Sequence, residues 1–205
     1  MPVHVKICGL CSARDVEAVA ALKPDAMGFV FWKSSKRHVE PADVAAWVRH
    51  LPKEILKVGV FVDAPAVEVI RVAETVGLDV VQLHSDEGPS VAARIPVRVW
   101  KVVYPGKTDL SRLGAYHVDA FLVDSYSATL PGGTGVTADW AAARELVKSV
   151  KTPVVLAGGL TPENVREAIR RVEPWGVDVS SGVQLQPREK DMAKVKLFIE
   201  RSRGV

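Results

Sequence analysis

Cysteine, aromatic residues and long apolar runs are all scarce in this sequence. Two of its 205 residues are cysteines, Cys8 and Cys11, and 6% are aromatic. Two cysteines three positions apart do not form the disulfide framework of a small secreted domain. No apolar stretch approaches the roughly 20 residues of a transmembrane helix, and the amino terminus lacks the charged leader and apolar run of a signal peptide. We therefore expect a cytoplasmic protein with no membrane contact.

Neither sign of charge dominates the sequence. The formal net charge is +3, and the 27 Lys and Arg residues are spread among 24 carboxylates. Because a nucleic-acid interface clusters its cations with exposed aromatic residues, we expect no nucleic-acid partner. A composition of 48% hydrophobic and 25% charged residues is typical of one globular domain, here residues 1–205. A mildly basic chain suits an anionic small molecule.

Short runs of Val, Ile, Leu and Phe alternate along the chain with amphipathic stretches of helical length. The runs predict eight strands, at Val3–Ile7, Ala26–Phe31, Leu56–Val62, Val80–Leu83, Val97–Val102, Ala120–Val123, Val154–Ala157 and Val177–Val179. Signals for helix starts lie between them, at Ser12, Pro41, Pro65 and 161–164, whereas 107–116 is the weakest helical pattern. Eight such units without a linker predict an α/β fold, a single (β/α)8 TIM barrel. The dinucleotide-binding G-x-G-x-x-G turn after the first strand is absent.

Two of these runs end in a reactive side chain, Cys8 in the first and Asp124 after the sixth. Chemistry in such barrels lies at the carboxyl ends of the strands. A thiol there, near helix amino termini, is suited to act as a general base, and a shielded carboxyl is suited to donate a proton. The alternatives are a small buried cysteine and an aspartate that caps a helix or forms an ion pair. Asp178, at the end of the eighth strand, is a rival acid.

The loops after the seventh and eighth strands carry Gly158 and Gly159, then Ser180, Ser181 and Gly182. Glycine lets backbone N–H groups approach a phosphate, and these two loops form the phosphate site of many (β/α)8 barrels. The alternative is that Gly158 and Gly159 only make a tight turn. We expect an anionic, phosphate-bearing substrate.

Other polar residues fall at the same end of the predicted barrel. Arg37, in a cationic loop after the second strand, is suited to hold a carboxylate through a bidentate fork, although it also fits a solvated charge run. His84, after the fourth strand, is a hydrogen-bond donor or a structural residue, and we place it and Asp178 among the substrate-binding candidates. A glycine loop at 131–135 is expected to fold over a ligand.

The spacing Cys8-Gly9-Leu10-Cys11 also spells C-x-x-C, a pattern of some redox proteins. A zinc site needs a second pair of ligands, and the five histidines are scattered. We therefore expect no metal, and a redox activity fits eight βα units poorly. A lesser hypothesis remains, that oxidation linking the two thiols inactivates the protein.

An ordered set of segments along the whole chain is similar to the phosphoribosylanthranilate isomerase family of tryptophan biosynthesis. The segments are Lys6-Ile7-Cys8-Gly9-Leu10, Gly28-Phe29-Val30-Phe31, Ser35-Lys36-Arg37, Val58-Gly59-Val60-Phe61, Val81-Gln82-Leu83-His84, Leu122-Val123-Asp124, Gly132-Gly133-Thr134-Gly135, Leu156-Ala157-Gly158-Gly159-Leu160 and Asp178-Val179-Ser180-Ser181-Gly182-Val183. The resemblance implies a cofactor-free Amadori rearrangement of N-(5-phosphoribosyl)anthranilate to the 1-deoxyribulose 5-phosphate product.

In that scheme Asp124 matches the general acid that opens the ribose ring, and Cys8 matches the base that removes the proton from C2. The resemblance also implies that Arg37 binds the anthranilate carboxylate and that Gly159, Ser180 and Ser181 bind phosphate, with Gly158 and Gly182 shaping those loops. A shielded carboxylic acid and a thiol near positive dipoles are expected to be poised in opposite protonation states.

The chain departs from the family at two places. Cys11 stands where a threonine is usual, and 184–191 reads Q-L-Q-P-R-E-K-D where an acidic residue and a P-G-x-K-D stretch are more usual. We expect the second departure to affect the start of the last helix rather than the chemistry. Rival interpretations are another phosphosugar aldose–ketose isomerase barrel, which in the histidine pathway uses two aspartates, and a non-catalytic phosphate-ligand binder. The sequence leaves open a monomer or a homodimer.

Overall fold

Eight parallel strands close into a barrel in chain order, as the sequence predicts. The computed structural model describes residues 3–125 and 138–204. The strands are β1 His4–Cys8, β2 Ala26–Val30, β3 Leu56–Phe61, β4 Val80–Leu83, β5 Arg98–Val103, β6 Ala120–Val123, β7 Val154–Leu156 and β8 Gly176–Val179. Pairing of β8 with β1 completes the barrel, with Lys6 opposite Asp178.

Seven α-helices are described around these strands: α1 Ala13–Ala21, α2 Pro41–Val48, α3 Ala66–Val76, α4 Pro89–Ala92, α5 Trp140–Ser149, α6 Val165–Val172 and α7 Met192–Arg203. Ser12 caps α1, since its hydroxyl accepts from the Asp15 N–H, and Pro41 begins α2. The weak helical pattern at 107–116 becomes a 3-10 helix at Leu110–Ala115, where the Asp109 carboxylate accepts from the Ser111 N–H and Gly114 disfavours a longer helix. Across 3–125 and 138–204, no helix has the length and apolar character needed to cross a membrane.

Side chains alternate along the strands between the barrel interior and the layer beneath the helices. A small apolar cluster that includes Val58, Trp100 and Leu122 fills the interior, while a larger cluster lies between strands and helices. The interior also contains buried polar residues, among them Lys6 and Gln82. These lie two positions before Cys8 and His84, so they face the same way, directly beneath the carboxyl ends of their strands.

A hairpin after β8 is absent from the sequence-based prediction. It pairs β9 Gln184–Gln186 with β10 Glu189–Lys190 in antiparallel fashion, and Arg188 in the turn has a left-handed φ of 79°. The Asp15 carboxylate accepts from the Lys190 N–H at 3.0 Å. The hairpin is therefore fastened to α1, beside the end of β1.

Candidate active site

The predicted site residues gather at one end of the barrel. Cys8 is the last residue of β1, while His84, Asp124 and Ser180 directly follow β4, β6 and β8. Cys8, His84 and Asp124 are buried. Arg37 lies in the loop after β2. The predicted glycine loop at 131–135 lies outside the described residues.

His84 and Asp124 meet at this end of the barrel, where β5 separates their two strands. Nε2 of His84 lies 3.3 Å from Oδ2 of Asp124, although the two atoms are not aligned for a hydrogen bond. The Gln82 side-chain amide nitrogen lies 2.9 Å from Nδ1 of His84. A neutral imidazole that accepts at Nδ1 carries its proton on Nε2, the nitrogen beside the carboxyl group. Gln82 and His84 together thus present a donor to Asp124.

Asp124 is held on its other side by the backbone. Its Oδ1 accepts a hydrogen bond from the Ser125 N–H at 2.7 Å. Gly158, with a left-handed φ of 78°, packs directly on this contact: a Cβ at that position would lie 2.6 Å from the Ser125 nitrogen and 2.9 Å from Asp124 Oδ1. The first glycine of the loop after β7 therefore makes room for the carboxyl group, a purpose beyond the predicted shaping of a phosphate loop.

Cys8 packs against the backbone of β2 at Gly28. A Cβ on Gly28 would lie 2.7 Å from the Cys8 sulfur and 3.1 Å from Cε of Lys6. Burial raises the pKa of the Cys8 thiol, and attraction to the Lys6 ammonium opposes that rise without cancelling it. The positive side chains near the sulfur therefore do not bring the pKa of the thiol below its ordinary value, because the loss of water around the sulfur outweighs them.

Lys6 and Asp178 form an ion pair inside the barrel, with Lys6 Nζ 2.9 Å from Asp178 Oδ2. Both side chains are buried, and the other carboxylate oxygen of Asp178 has no hydrogen-bond partner among the described residues. Burial is the largest single influence on Lys6 and works to lower its pKa, but the charge and hydrogen bond of Asp178, together with the Cys8 side chain, outweigh burial and the pKa is raised. An aspartate engaged with an ammonium is poorly suited to donate a proton. This geometry disfavours Asp178 as the rival acid.

The hairpin contributes two side chains that the sequence analysis did not assign to the site. Lys190 Nζ donates to the carbonyl oxygens of Cys8, at 2.6 Å, and of Ser180, at 3.0 Å. Gln184 Oε1 accepts from Arg37 Nη2 at 3.0 Å. Asp191 caps α7, so this stretch does form the start of the last helix, and it also contacts the site. The expectation that it leaves the chemistry unaffected stays a prediction. Burial lowers the pKa of Lys190 to about 8.

Arg37 is directed toward the ends of β1 and β8. A Cβ on Gly9, whose φ is +74°, would lie 2.5 Å from Cδ of Arg37 and 2.9 Å from the Ser180 hydroxyl oxygen. Besides its bond to Gln184, the guanidinium has a buried Nε with no hydrogen-bond partner among residues 3–125 and 138–204. Arg37 thus keeps an N–H group free to bind an anion.

The loops after β7 and β8 touch each other. Gly158 and Gly159 both have left-handed φ angles, and the Asn164 amide holds the Gly159 carbonyl at 2.9 Å. Gly182 lies against Leu160 so closely that a Cβ there would overlap the Leu160 carbonyl oxygen. Ser181 opens a short 3-10 helix, Ser181–Val183. The two predicted phosphate loops form one continuous rim.

Both cysteines are free thiols in the structure. The Cys11 sulfur donates weakly to the carbonyl oxygens of Gly9 and Arg37, each at 3.5 Å. Oxidative linkage of Cys8 to Cys11 stays a prediction. Over the described part of the chain, no group of three His, Cys, Asp or Glu residues has the arrangement of a metal site.

Comparison with known proteins gives one consistent result. A sequence model of the family described as N-(5'-phosphoribosyl)anthranilate (PRA) isomerase matches residues 5–201. The chain is 45% identical over 207 residues to the N-(5'-phosphoribosyl)anthranilate isomerase of Caldanaerobacter subterraneus subsp. tengcongensis, with 99% of each sequence covered.

Solved structures agree with the sequence match. The crystal structure of phosphoribosyl anthranilate isomerase from Thermotoga maritima is 36% identical, with a TM-score of 0.90 over 99% of this chain and 100% of that one. A second phosphoribosyl anthranilate isomerase, in complex with reduced 1-(o-carboxyphenylamino)-1-deoxyribulose 5-phosphate, is 33% identical, with a TM-score of 0.84 over the same coverage.

Proposed function

The chain belongs to the family of N-(5'-phosphoribosyl)anthranilate isomerases, and we propose that Cys8 and Asp124 perform its reaction as base and acid. The activity is the Amadori rearrangement of N-(5-phosphoribosyl)anthranilate to 1-(2-carboxyphenylamino)-1-deoxyribulose 5-phosphate, an aldose–ketose isomerisation of tryptophan synthesis. The placement of Cys8 and Asp124 at the same end of the barrel as the two glycine loops is the observation that carries the assignment.

Asp124 acts first. Its carboxyl proton passes to the ribose ring oxygen while the bond between that oxygen and C1 breaks, and the anthranilate nitrogen lone pair forms the C1=N bond of a Schiff base. The Ser125 N–H and the His84 side chain surround the carboxylate that remains. Donors at these positions stabilise the negative charge as it develops on Asp124, which favours the ring-opened state.

Cys8 acts second. Its thiolate takes the proton from C2, the C–H electron pair forms a C1=C2 bond, and the iminium nitrogen is neutralised to give an enolamine. Tautomerisation of the enolamine gives the ketone product. Because burial raises the pKa of the thiol, the active thiolate is a minor form of the free enzyme at neutral pH. Return of one proton from the Cys8 thiol to the Asp124 carboxylate through solvent restores both groups, so the reaction needs no cofactor.

The remaining predicted residues bind the two ends of the substrate. Arg37, with its unpartnered Nε, is placed for the anthranilate carboxylate. Gly159, Ser180 and Ser181 provide the phosphate rim, where Gly182 holds the two loops together. Between these ends, Asp178 is proposed to bind a ribose hydroxyl group, and His84 acts on the substrate through the carboxyl group of Asp124. The pairing of Asp178 with Lys6 supports a binding role over a proton-donating one.

An assay of substrate fluorescence tests the proposed activity. Chemically generated phosphoribosylanthranilate is fluorescent, and its fluorescence should disappear on addition of the purified chain, with loss of more than 90% of that rate in Asp124→Asn. Binding of the reduced product analogue by the variant serves as the control. Turnover of a histidine-pathway aminoaldose phosphate instead would favour the rival isomerase, and binding without turnover of either would favour a non-catalytic binder. Monomer or homodimer, and the cytoplasmic location, stay predictions.

A further inference from the structure

Lys6 is a buried cation with no place in the reaction scheme above. It stands two residues before Cys8 on β1, so both side chains point into the barrel. Cys8 Sγ and Lys6 Cε lie 2.7 and 3.1 Å from the position that a Cβ on Gly28 would occupy, so the sulfur and the lysine stem share one small space. A buried ammonium costs considerable desolvation free energy unless an anion compensates it.

Asp178 is the anion that compensates this charge and fixes the ammonium in place. One of its carboxylate oxygens holds Lys6 Nζ at 2.9 Å, and the other is buried without a partner among the described residues. The charged groups around Cys8 are Lys6 on its own strand, Asp178 on β8 and Lys190 on β10, with Arg37 next to Lys190. Lys190 contacts the Cys8 carbonyl rather than the sulfur. Lys6 is therefore the cation placed beside the thiol itself.

We propose that Lys6 is a positioning residue of the site, whose ammonium, fixed in the barrel interior by Asp178, stabilises the thiolate form of Cys8. This inference rests on the proposed function of Cys8 as the base. When the thiolate accepts the C2 proton the sulfur becomes neutral, and the charge that Lys6 balanced passes to the substrate. Without Lys6, the thiolate in this dry environment would have far less stabilisation.

The pH dependence of iodoacetamide alkylation reports the pKa of the thiol directly. The measurement uses the full chain with Cys11→Ser, so that Cys8 is the reactive thiol. Lys6→Met should raise the midpoint of alkylation by at least one pH unit, a tenfold loss of thiolate at neutral pH. Asp178→Asn should lower the midpoint, because it removes a negative charge and leaves Lys6 in place. If the ion pair has only a structural role, loss of either residue should loosen the site. The alkylation midpoints of both variants should then shift in the same direction, toward that of a solvated thiol.

Lys6→Met leaves a buried aspartate without its cation, which is a risk to folding. A double variant keeps the test valid if this single variant misfolds. Lys6→Met with Asp178→Leu replaces the whole pair by apolar side chains, a change that proteins often tolerate. Because Lys6 acts on the thiol more strongly than Asp178 does, the midpoint should still rise. An unchanged or lowered midpoint in both Lys6 variants would overturn the proposal. Alkylation needs no turnover, so a failure of the isomerase assignment would show in the fluorescence assay and not in this titration.

Discussion

His84 Nε2 lies 3.3 Å from Asp124 Oδ2, with both side chains buried and Gln82 at the opposite ring nitrogen. The three residues come from β4 and the end of β6, two strands of the barrel wall that are separated only by β5. The two atoms are close enough for a hydrogen bond but are not aligned for one, and we expect the His84 donor to turn onto Asp124 when the carboxylate forms. Apo geometries of this kind commonly tighten in the substrate complex.

Loss of the His84 donor should therefore slow the first step. We expect His84→Ala to lower kcat by about tenfold and Asp124→Asn by roughly 10² to 10⁴-fold, the usual range for a general acid. The Michaelis constant should change less in Asp124→Asn, since its proton is given up in the transition state. Steady-state kinetics on both variants check this. Wild-type kcat in Asp124→Asn would remove that residue from the scheme.

Gly158→Ala should damage the site because an added Cβ would press on Ser125 N and Asp124 Oδ1. The matched control is Gly77→Ala, where φ is +69° and nothing lies within 4 Å of the added atom. Both variants bear the cost of a left-handed alanine, about 1 kcal/mol in the free energy of unfolding. Only Gly158→Ala should also lower kcat strongly. Equal kinetic effects in the two variants would contradict the packing argument.

Arg37→Ala should raise the Michaelis constant by about tenfold or more, with a smaller change in kcat, because a carboxylate held equally in the ground and transition states contributes uniform binding. Arg188→Ala is the control. This exposed arginine of the neighbouring turn donates to the His38 carbonyl and should leave both constants unchanged. An unaltered Michaelis constant in Arg37→Ala would show that the substrate carboxylate binds elsewhere.

Lys190 should make the free energy of unfolding depend on pH. Its folded pKa is about 8 and its ordinary value is 10.5. Below pH 8 both the folded and the unfolded chain carry the proton on Lys190, so the contribution of Lys190 to the free energy of unfolding is constant. Between pH 8 and 10 the unfolded chain keeps a proton that the folded chain has lost, so this contribution to stability rises with pH. Relative to Lys190→Met, the wild type should gain roughly 2 kcal/mol over that interval, measured by urea unfolding. A pH-independent difference would contradict burial of this amine.

Much of the site could be predicted from the sequence because apolar runs mark where each strand ends. Cys8 and Asp124 stand at the ends of such runs, and parallel closure brings these ends to one face. The sequence analysis missed Lys6, although the sequence indicates it: Lys6 is a lone charged residue inside an apolar strand, on the same face of the strand as Cys8. Lys190 carried none, since it lies in a polar stretch 182 residues from Cys8 and only the hairpin brings them together. The pKa of Cys8 depends on desolvation in three dimensions, which residue order does not report.

The most direct test of the account is the single-turnover rate of fluorescence loss with enzyme in excess over phosphoribosylanthranilate, for wild type and Cys8→Ser. A serine hydroxyl keeps the shape of the thiol but is a far weaker acid, so it supplies almost no anionic base. We predict that wild type consumes the substrate rapidly and that Cys8→Ser, with binding of the reduced product analogue retained, loses about 10² to 10⁴-fold in rate. A rate within a few-fold of wild type would contradict the assignment of Cys8 as the base.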